Sequence, residues 1–472
     1  MQDFSKPPVP EGAHPGGADL FVTGARRWPA KELVDITIQD GRIVALDAHG
    51  TVPAPADVRH LDATGLSVIP GLVDVHVHFR DPGLERKEGW VRGSRGAIHG
   101  GVTSIVEVQN NPPLTTSKQL MDERRAHVGE RSLVDFGLLG NLLEDSLPEL
   151  ADIAPMTPAF KLFLGCSTGL SGQSDEATIR RLFRGAAEAG RMVVAHCEHE
   201  ATLDADAAAY PDATAKEHHL VRSSLAEERS IAQALECMDA EGGALHVFHI
   251  TGRAGVELVR QAKADGKPVF ASTAPHYALL SCEDAEELGN FIRVNPSVKT
   301  PDDRDAIIEG LLDGTIDAIG TDHAPHPLEH KERPYKKAPS GMPSIDLLWP
   351  LTLELVRRKK LPAELALDVV TRKAAASMRL GDKGRLELGS DGDLTFFDPE
   401  VRRVVRGSEL PSTSKWSAYE GWELAGFPEV VVRRGEVLFE GGRVPGEDDQ
   451  VSLGAPLRLE AVAPEPAKAL SE

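Results

Sequence analysis

The sequence is poor in cysteine, in long apolar runs and in positive charge, and each shortage excludes a class of protein. Its four cysteines are scattered and form no CxxC pair, which argues against a disulfide framework and favours a reducing compartment, the cytoplasm. No stretch of the 472 residues approaches the roughly 18 consecutive apolar residues of a membrane helix. Acidic residues outnumber basic ones by 73 to 52, for a net charge of −21, whereas a nucleic-acid partner requires a basic surface. We therefore expect neither a membrane nor a nucleic acid as partner.

Hydrophobic residues make up 41% and charged residues 26% of the sequence, a composition typical of a globular protein with an ample core. The length of 472 residues predicts two or three domains. The first residues, MQDFSKPPVPEGAHPGG, contain neither a basic start nor an apolar run. They predict a disordered lead-in over residues 1–18 in place of a signal peptide.

Short strand-like runs occur near both ends of the chain. ADLFVTGARRW, VDITIQDGRIVAL and VRHLDATGLSVIP lie toward the start, and GDLTFFDP and PEVVVRRGEVLFEGGRV lie toward the end. The Asp40-Gly41 pair in the second run is typical of a hairpin turn. We expect these strands to meet in one small β-sandwich domain built from residues 19–69 and 378–450, followed by a loose tail at 451–472.

Between these ends, eight apolar strand-like runs alternate with helix-like segments such as ATIRRLFRGAAEAG and EERSIAQALECMDA. The eight runs are LVDVHVH, VTSIVEV, VDFGLLG, AFKLFLG, RMVVAHC, LHVFHIT, KPVFAST and IDAIGTD. Strands that alternate with helices over roughly 300 residues indicate parallel βαβ units. The sequence therefore predicts an α/β fold in which residues 70–377 form a closed (β/α)8 TIM-like barrel.

Metal-ligating residue types stand at the carboxyl ends of four predicted strands, where the active sites of such barrels lie. The first run ends in His76-Val77-His78, and residues two apart on a strand point to the same face. The fifth, sixth and eighth runs end in His196, His249 and Asp322, which are residue types that bind divalent metals. A single histidine is often a bystander, but four such strand ends together predict a metal centre.

Lys161 lies inside the apolar run AFKLFLG, where burial of a charged amine costs several kcal/mol unless the amine is neutralised or paired. One interpretation is a strand-end lysine whose ammonium reaches solvent. The other is a neutral amine that captures carbon dioxide as a carbamate and bridges two metals, since desolvation lowers a lysine pKa. Spacing alone does not distinguish the two. His246, which alternation places on the face opposite to His249, is interpreted as structural.

Two longer motifs contain the first and eighth strand ends. They are GLVDVHVHFRDPGLERKEGW and GTDHAPH. The first resembles the signature of the dihydroorotase family, in which a substrate-binding arginine follows the HxH, and the second is similar to the strand-eight signature of the same family. DATGLSVIPG before the barrel and KGRLELGSDGDLTFFDP after it resemble the wider amidohydrolase superfamily. The resemblance covers about Asp19 to Val444.

This resemblance implies a binuclear metal centre. The implied ligands of one ion are His76, His78, carbamylated Lys161 and Asp322, and those of the second ion are Lys161, His196 and His249. Lys161 in FKLFLG resembles the bridging lysine of hydantoinases and of some dihydroorotases, whereas other dihydroorotases lack it. Imidazole and carboxylate ligands suit two Zn²⁺, and manganese or cobalt would also fit.

The implied ligand set predicts hydrolysis of a ring amide. Two metal ions lower the pKa of a shared water toward neutrality. Asp322 is expected to accept a proton from that water as it attacks the carbonyl, and to pass the proton to the departing ring nitrogen. The alternative is that Asp322 serves as a ligand only.

The expected substrate contacts are Arg80, Asn110, Asn295, His326 and Gly341. Arg80 lies two residues beyond His78, on the same face in extended geometry, where a guanidinium suits a carboxylate; otherwise an arginine after a strand is a solvated surface residue. Asn110 lies in VQNNPP where the family has Met-Pro-Asn, and Asn111 is the alternative. NPSVK and APSGMP replace the NPPLR and APFG of the family, so Asn295 and Gly341 are expected to contact the ring through their backbones.

These features favour reversible hydrolysis of (S)-dihydroorotate to N-carbamoyl-L-aspartate in pyrimidine biosynthesis, because that ring carries a carboxylate for Arg80. An allantoinase or a dihydropyrimidinase (hydantoinase), acting on a neutral ring, is the enzymatic alternative. A catalytically silent scaffold is a further alternative, although the ligand set is complete. The resemblance also implies a homo-oligomer, a dimer or tetramer, and an association with aspartate transcarbamoylase.

Overall fold

The computed structural model describes residues 19–167, 171–441, 443 and 452–460. The expected lead-in at 1–18 and the last part of the expected tail, 461–472, lie outside the described residues. Within the described ranges, no helix has the length and apolar composition that crossing a bilayer requires.

Strands and helices alternate through the middle of the chain. The strands are β1 Leu20–Arg27, β2 Leu33–Gln39, β3 Arg42–Ala48, β4 Arg59–Asp62, β5 Ser67–Pro70, β6 Leu72–Val77, β7 Val102–Glu107, β8 Asp135–Leu138, β9 Gly140–Asn141, β10 Ala159–Leu164, β11 Met192–Cys197, β12 Leu245–Val247, β13 Val269–Thr273, β14 Ala318–Ile319, β15 Leu394–Phe397, β16 Arg402–Val404, β17 Glu423–Ala425, β18 Pro428–Arg433 and β19 Glu436–Glu440. The α-helices are α1 Trp90–His99, α2 Lys118–Gly129, α3 Leu150–Ile153, α4 Glu176–Glu188, α5 Glu200–Ala209, α6 His218–Val221, α7 Ser224–Glu241, α8 Arg253–Ala264, α9 Pro275–Leu279, α10 Ala285–Leu288, α11 Pro301–Asp313, α12 Leu328–Lys331, α13 Leu348–Arg357, α14 Ala363–Asp368 and α15 Arg372–Ser377.

Strands β6 to β14 form the barrel, and every pairing among them is parallel. They pair in the orders β6-β7-β8 and β9-β10-β11-β12-β13-β14. Only Leu139 separates β8 from β9, so these two make one strand position, and the eight predicted runs supply eight positions. The barrel closes where His78 N donates to His323 O at 2.8 Å, beside β14. The predicted (β/α)8 fold class is confirmed.

Helix α4 illustrates how the sequence builds the outer layer of the barrel. Asp175 caps its first turn by accepting a hydrogen bond from Thr178 N at 2.8 Å. Apolar residues at three- and four-residue spacing form its buried face, namely Ile179, Leu182, Phe183 and Ala186. This face packs toward β11 and the neighbouring helix α7.

Strands from both ends of the chain pair in one sheet, in the order β19-β18-β15-β5-β1-β2-β3, with β4 beside β1. Asp40 and Gly41 join β2 to β3 with φ values of 50° and 76°, as a type I′ hairpin requires. The sheet encloses an apolar core of its own, to which Val22, Ile36 and Phe396 belong. The predicted meeting of the two chain ends is therefore observed.

Residues 452–460 are bound to the barrel, and the prediction of a loose tail is wrong for this segment. Phe136 N of β8 donates to Ala455 O at 3.0 Å, and Leu457 N donates to Phe136 O at 2.9 Å. Leu457 is buried in the apolar cluster that also contains Val106 of β7 and Val194 of β11. The segment is short and rich in small or polar residues. Its sequence pattern therefore does not indicate that Leu457 is buried, or that the segment pairs with a strand more than 300 positions earlier.

A buried group of charged residues, here called the junction cluster, joins the barrel to the sheet. Lys383 Nζ lies 2.6 Å from Asp135 Oδ2 on β8 and 2.8 Å from Oδ2 of both Asp391 and Asp393, which precede β15. Arg434 Nη2 lies 3.4 Å from Asp135 Oδ1. All five side chains are buried, so their charges are balanced mainly by one another.

Candidate active site

The six predicted ligand residues come together at the carboxyl ends of the barrel strands. One cavity is lined by all of them, namely His76, His78, Lys161, His196, His249 and Asp322. We call this set the ligand cluster. Five of its members lie at or just beyond the ends of β6, β11, β12 and β14, where a parallel barrel brings residues together, whereas Lys161 lies in the middle of β10.

His76, His78 and Asp322 form a tight group. The Nε2 atoms of the two histidines are 3.2 Å apart, and Asp322 Oδ1 lies 3.3 Å from the first and 3.2 Å from the second. His78 Nδ1 lies 2.8 Å from Val108 O, which places a proton on Nδ1 and leaves Nε2 to face the group. Three buried donor atoms this close together fit the ligand set of one metal ion.

His196 and His249 form a second pair, with His196 Nδ1 at 3.2 Å from His249 Nε2. Glu198 Oε2 lies 2.9 Å from His196 Nε2, so a negative charge faces that nitrogen and Nδ1 is left as the donor to an ion. Arg222 Nε donates to both oxygens of Glu198 at 3.0 Å. Glu198 is absent from the predicted site, although its position two residues after His196 is a usable signal.

Lys161 is 1% exposed, and its Nζ has no hydrogen-bond partner among the residues that the structure describes. The amine lies 4.7 Å from the ring centroids of both Phe163 and Phe248. Burial lowers the pKa of Lys161 to about 7, although Asp322 acts in the opposite direction. The interpretation of a lysine that reaches solvent is therefore wrong, because apolar rings surround the amine.

The protonation states of the ligand cluster suit metal binding. Burial lowers the pKa of all four histidines, which favours the neutral imidazoles that act as ligands. Burial acts to raise the pKa of Asp322, but the hydrogen bond and charge of His78 together with the charges of His249 and His276 outweigh it, and the resulting pKa is about 2. At neutral pH the cluster thus offers an ionised carboxylate beside neutral nitrogen donors.

Three residues of the site adopt left-handed backbone conformations that are uncommon outside glycine. The φ values are 63° at Arg80, 39° at His249 and 48° at Asp322. The expected extended geometry at Arg80 is therefore wrong. Such strained conformations are concentrated at functional sites in proteins.

The left-handed turn at His249 also bears on the orientation of His246. Val194 of β11 pairs with both Lys161 of β10 and His246 of β12, so His246 points to the same face of the sheet as Lys161. The expectation that His246 and His249 lie on opposite faces by alternation fails because His249 lies beyond the end of β12.

Four of the five predicted substrate residues line the same cavity, namely Arg80, Asn110, Asn295 and Gly341. Arg80 Nη1 donates a hydrogen bond to Asn110 Oδ1, and both side chains are buried. Asn111 instead donates from Nδ2 to Pro82 O at 2.7 Å. The structure therefore brings Asn110 to the cavity with Arg80, while Asn111 supports the loop after β6.

His326 lies behind the cavity wall and not on it. Its Nε2 is 3.0 Å from Ser340 O, and Ser340 lines the cavity next to Gly341. Gly341 has a φ of 133°, and a Cβ there would lie 2.6 Å from Ala324 O, so only glycine fits this bend. Ser340 is absent from the predicted site, because its role follows from the loop path and not from its residue type.

Residues 67–438 match the model of the amidohydrolase family, and the chain belongs to that family. It is 35% identical over 418 residues to the dihydroorotase of Halobacterium salinarum, and the alignment covers 88% of this chain and 95% of that relative. It is 32% identical over 435 residues to the dihydroorotase of Methanosarcina acetivorans, covering 89% and 92%. The L-hydantoinase structure from Arthrobacter aurescens superposes with a TM-score of 0.87 at 29% identity, over 93% of this chain and 100% of that one. The resemblance to dihydroorotases is confirmed.

Proposed function

We propose that this chain is a dihydroorotase, which reversibly hydrolyses the ring amide of (S)-dihydroorotate to N-carbamoyl-L-aspartate in pyrimidine biosynthesis. The observation that carries the proposal is the buried Arg80–Asn110 pair in the cavity of the ligand cluster. A buried guanidinium needs an anionic or strongly polar partner. The substrate carboxylate supplies that partner, and the ring amide then faces the ligand cluster.

The donor set fits two zinc ions bridged by carbamylated Lys161. One ion would be held by His76, His78, Lys161 and Asp322, and the other by Lys161, His196 and His249. The unpartnered Nζ of Lys161 and its pKa of about 7 support the carbamate, because only a neutral amine adds to carbon dioxide. When bound, the ions supply a water of lowered pKa and polarise the ring carbonyl.

The residues of the chain bind the ring and move its protons. Asp322, ionised with a pKa of about 2, accepts the proton of the attacking water and delivers it to the ring nitrogen as the amide bond breaks. Asn110 accepts a hydrogen bond from Arg80 and so orients the guanidinium toward the substrate carboxylate. Asn295 and Gly341 contact the ring through their backbones, and His326 acts on the ring through Ser340.

A hydantoinase, dihydropyrimidinase or allantoinase is the second candidate, because the L-hydantoinase structure shares the fold at 29% identity. Such an enzyme would use the same ligand cluster on a ring without a carboxylate. A silent scaffold is the third, but its loss of catalysis would be expected to include loss of ligands, and all six are present.

The first experiment compares initial hydrolysis rates on dihydroorotate, allantoin, hydantoin and dihydrouracil, each with zinc present. We expect a preference for dihydroorotate of about 100-fold or more, equivalent to about 2.7 kcal/mol in the transition state. Turnover of a neutral ring alone would keep the metal chemistry and overturn the substrate. No turnover of any ring by zinc-loaded protein would favour the scaffold.

Replacing Arg80 with methionine tests the carboxylate contact directly. The Arg80→Met variant should lose about 100-fold in kcat/KM on dihydroorotate, because a charge-assisted bidentate contact is removed, while its residual rate on neutral rings stays unchanged. Arg86→Met, an exposed arginine of the same loop, is the matched control and should stay within about twofold. An equal loss on neutral rings would contradict the assigned role.

The cellular context follows from the same proposal. None of the four cysteines, all of which lie in the described residues, forms a disulfide, and this supports a cytoplasmic location. A homo-oligomer, dimer or tetramer, and an association with aspartate transcarbamoylase stay predictions, to be tested by sedimentation of the purified chain alone and with that enzyme.

A further inference from the structure

Lys331, the last residue of α12, is buried beneath the cavity wall with an exposure of 1%. Its Nζ donates to three backbone carbonyls, those of Arg293 at 3.1 Å, Pro339 at 3.0 Å and Gly341 at 2.9 Å. An ammonium group has three protons, so every proton is used. Burial and the charge of Arg293 lower the pKa of Lys331 well below its ordinary value, whereas the three carbonyl oxygens and the Trp416 ring, whose centroid lies 5.4 Å from Nζ, favour the ammonium form.

The three carbonyls belong to two separate segments of the wall. Arg293 lies two residues before Asn295, and Pro339 and Gly341 flank Ser340; these segments meet where Gly341 N donates to Arg293 O at 2.9 Å. Arg293 O therefore accepts from both Lys331 and Gly341. Because Asn295, Ser340 and Gly341 line the cavity, Lys331 links two loop segments of its wall.

In this part of the wall, several backbone carbonyls accept hydrogen bonds from side-chain cations and not from a neighbouring strand. Between α12 and α13 the chain has two short 3-10 turns and one isolated bridge, between Met342 and His323, so its other buried carbonyls need partners from elsewhere. Arg293 donates from Nη1 to Tyr335 O and Ala338 O. Lys331 donates to the carbonyls of Pro339 and Gly341, which follow in the chain. Two cations, the half-buried Arg293 and the buried Lys331, therefore support the backbone around Ser340 and Gly341, and Lys331 is the one that donates to a residue lining the cavity.

We propose that Lys331 is a positioning residue for the ring: it fixes the separation of the Asn295 and Gly341 segments and thereby the shape of the substrate side of the cavity. The inference rests on the proposed function only in taking this cavity as the ring-binding site. Among the described residues, no hydrogen bond or ion pair joins Lys331 to the ligand cluster, so its loss should weaken ring binding without releasing metal.

The test compares Lys331→Met with Lys383→Met, a change of another buried lysine in the junction cluster. In zinc-loaded Lys331→Met, hydrogen exchange of the peptide containing Gly341 should accelerate about tenfold or more, because three carbonyls lose their donor. KM for the ring that the enzyme turns over should rise about tenfold, with kcat within about threefold and zinc content unchanged. Lys383→Met should lower the melting temperature but alter neither the Gly341 exchange nor KM.

A second variant covers the case in which Lys331→Met does not fold. Lys331→Gln keeps two N–H donors on a shorter side chain, and it should give changes in exchange and KM of the same direction but smaller size. Unchanged exchange and KM in a folded Lys331 variant would overturn the proposal, and so would loss of zinc with KM unchanged. Exchange is measured without substrate, and KM on whichever ring is turned over, so failure of the dihydroorotase assignment is distinguishable from failure of this inference.

Discussion

The ligand cluster and the junction cluster are both buried groups of ionisable side chains, and they differ in how their charges are balanced. In each, three residues place ligand-type atoms close enough for one metal ion, His76, His78 and Asp322 in the first and Asp135, Asp391 and Asp393 in the second. In the junction cluster, however, Lys383 Nζ lies 2.6–2.8 Å from all three carboxylates. In the ligand cluster, Asp322 Oδ1 faces the imidazoles of His76 and His78 at 3.3 and 3.2 Å. Proximity of ligand atoms alone therefore does not identify a metal site.

The buried lysines of the two clusters, Lys161 and Lys383, differ in the same way. Lys161 and Lys383 are 1% and 3% exposed, so burial acts to lower the pKa of both. In Lys383 the charges of Asp135, Asp391 and Asp393 outweigh burial and raise the pKa. In Lys161 burial outweighs Asp322 and lowers the pKa to about 7. Lys383 is a permanent cation of the fold, whereas Lys161 is available as an amine.

The largest expected effect comes from changing Asp322 in the ligand cluster. Asp322→Asn should lower kcat by about 1,000-fold, because an amide neither accepts the proton of the attacking water nor returns it to the ring nitrogen. Stability should also fall at neutral pH, because the lowered pKa of about 2 means that the folded protein favours the ionised carboxylate. Initial rates with dihydroorotate, urea unfolding and zinc analysis measure the three quantities. Retention of more than a tenth of the activity would leave Asp322 without a role in proton transfer.

Replacing Lys383 in the junction cluster should lower the stability of the fold and leave the catalytic rate nearly unchanged. Lys383→Met leaves three buried carboxylates without their shared cation, and it should reduce the free energy of unfolding by about 3 kcal/mol, as expected when one partner of a buried ion pair is removed. Below its melting temperature the variant should keep kcat within about twofold. A large loss of kcat in folded Lys383→Met would erase the distinction between the two clusters.

The smallest expected effect is a pH dependence of that stability difference. Lys383 and Arg434 outweigh the effect of burial and hold the pKa of Asp135 below its ordinary value, so its stabilisation is full above about pH 4 and is lost as pH falls further. In Lys383→Met the native pKa is less depressed, and less is lost. The difference in unfolding free energy between wild type and variant should therefore shrink by about 1 kcal/mol from pH 6 to pH 3.

Urea titrations of both proteins at the two pH values would measure this change. Lys383 also acts to lower the pKa of Asp393, so its loss lets acidification favour the variant through Asp393 as well, with the same sign. A difference that stays constant or grows toward pH 3 would show that Lys383 does not hold down the pKa values of these carboxylates.

Features that depend on a repeated local pattern could be predicted from the sequence. The alternation of apolar runs with helical segments predicts all eight barrel strand positions, and the geometry of parallel barrels then brings His76, His196 and Asp322 to one end. No packing information is needed for either step, because a residue at the end of a barrel strand faces the same mouth whatever lies beneath it.

Features that depend on backbone atoms far apart in the sequence could not be predicted in this way. The left-handed turn at Arg80, the position of His326 behind Ser340, and the contacts of Lys331 with Arg293 and Gly341 all follow from the paths of irregular loops. Their residue types occur on any protein surface. Only the folded chain shows which carbonyls lack a partner and which side chains supply one.

The pairing of residues 452–460 with β8 has a consequence for synthesis. The backbone of Phe136 pairs with Ala455 and Leu457, so these partners of β8 are absent on the ribosome until some 320 further residues have been added. The strands that carry the ligand cluster, in contrast, are complete once β14 has been synthesised. A nascent chain can thus form the ligand cluster before residues 452–460 bind β8, and translation that stalls late should yield a species in which the cluster is formed and β8 lacks these partners.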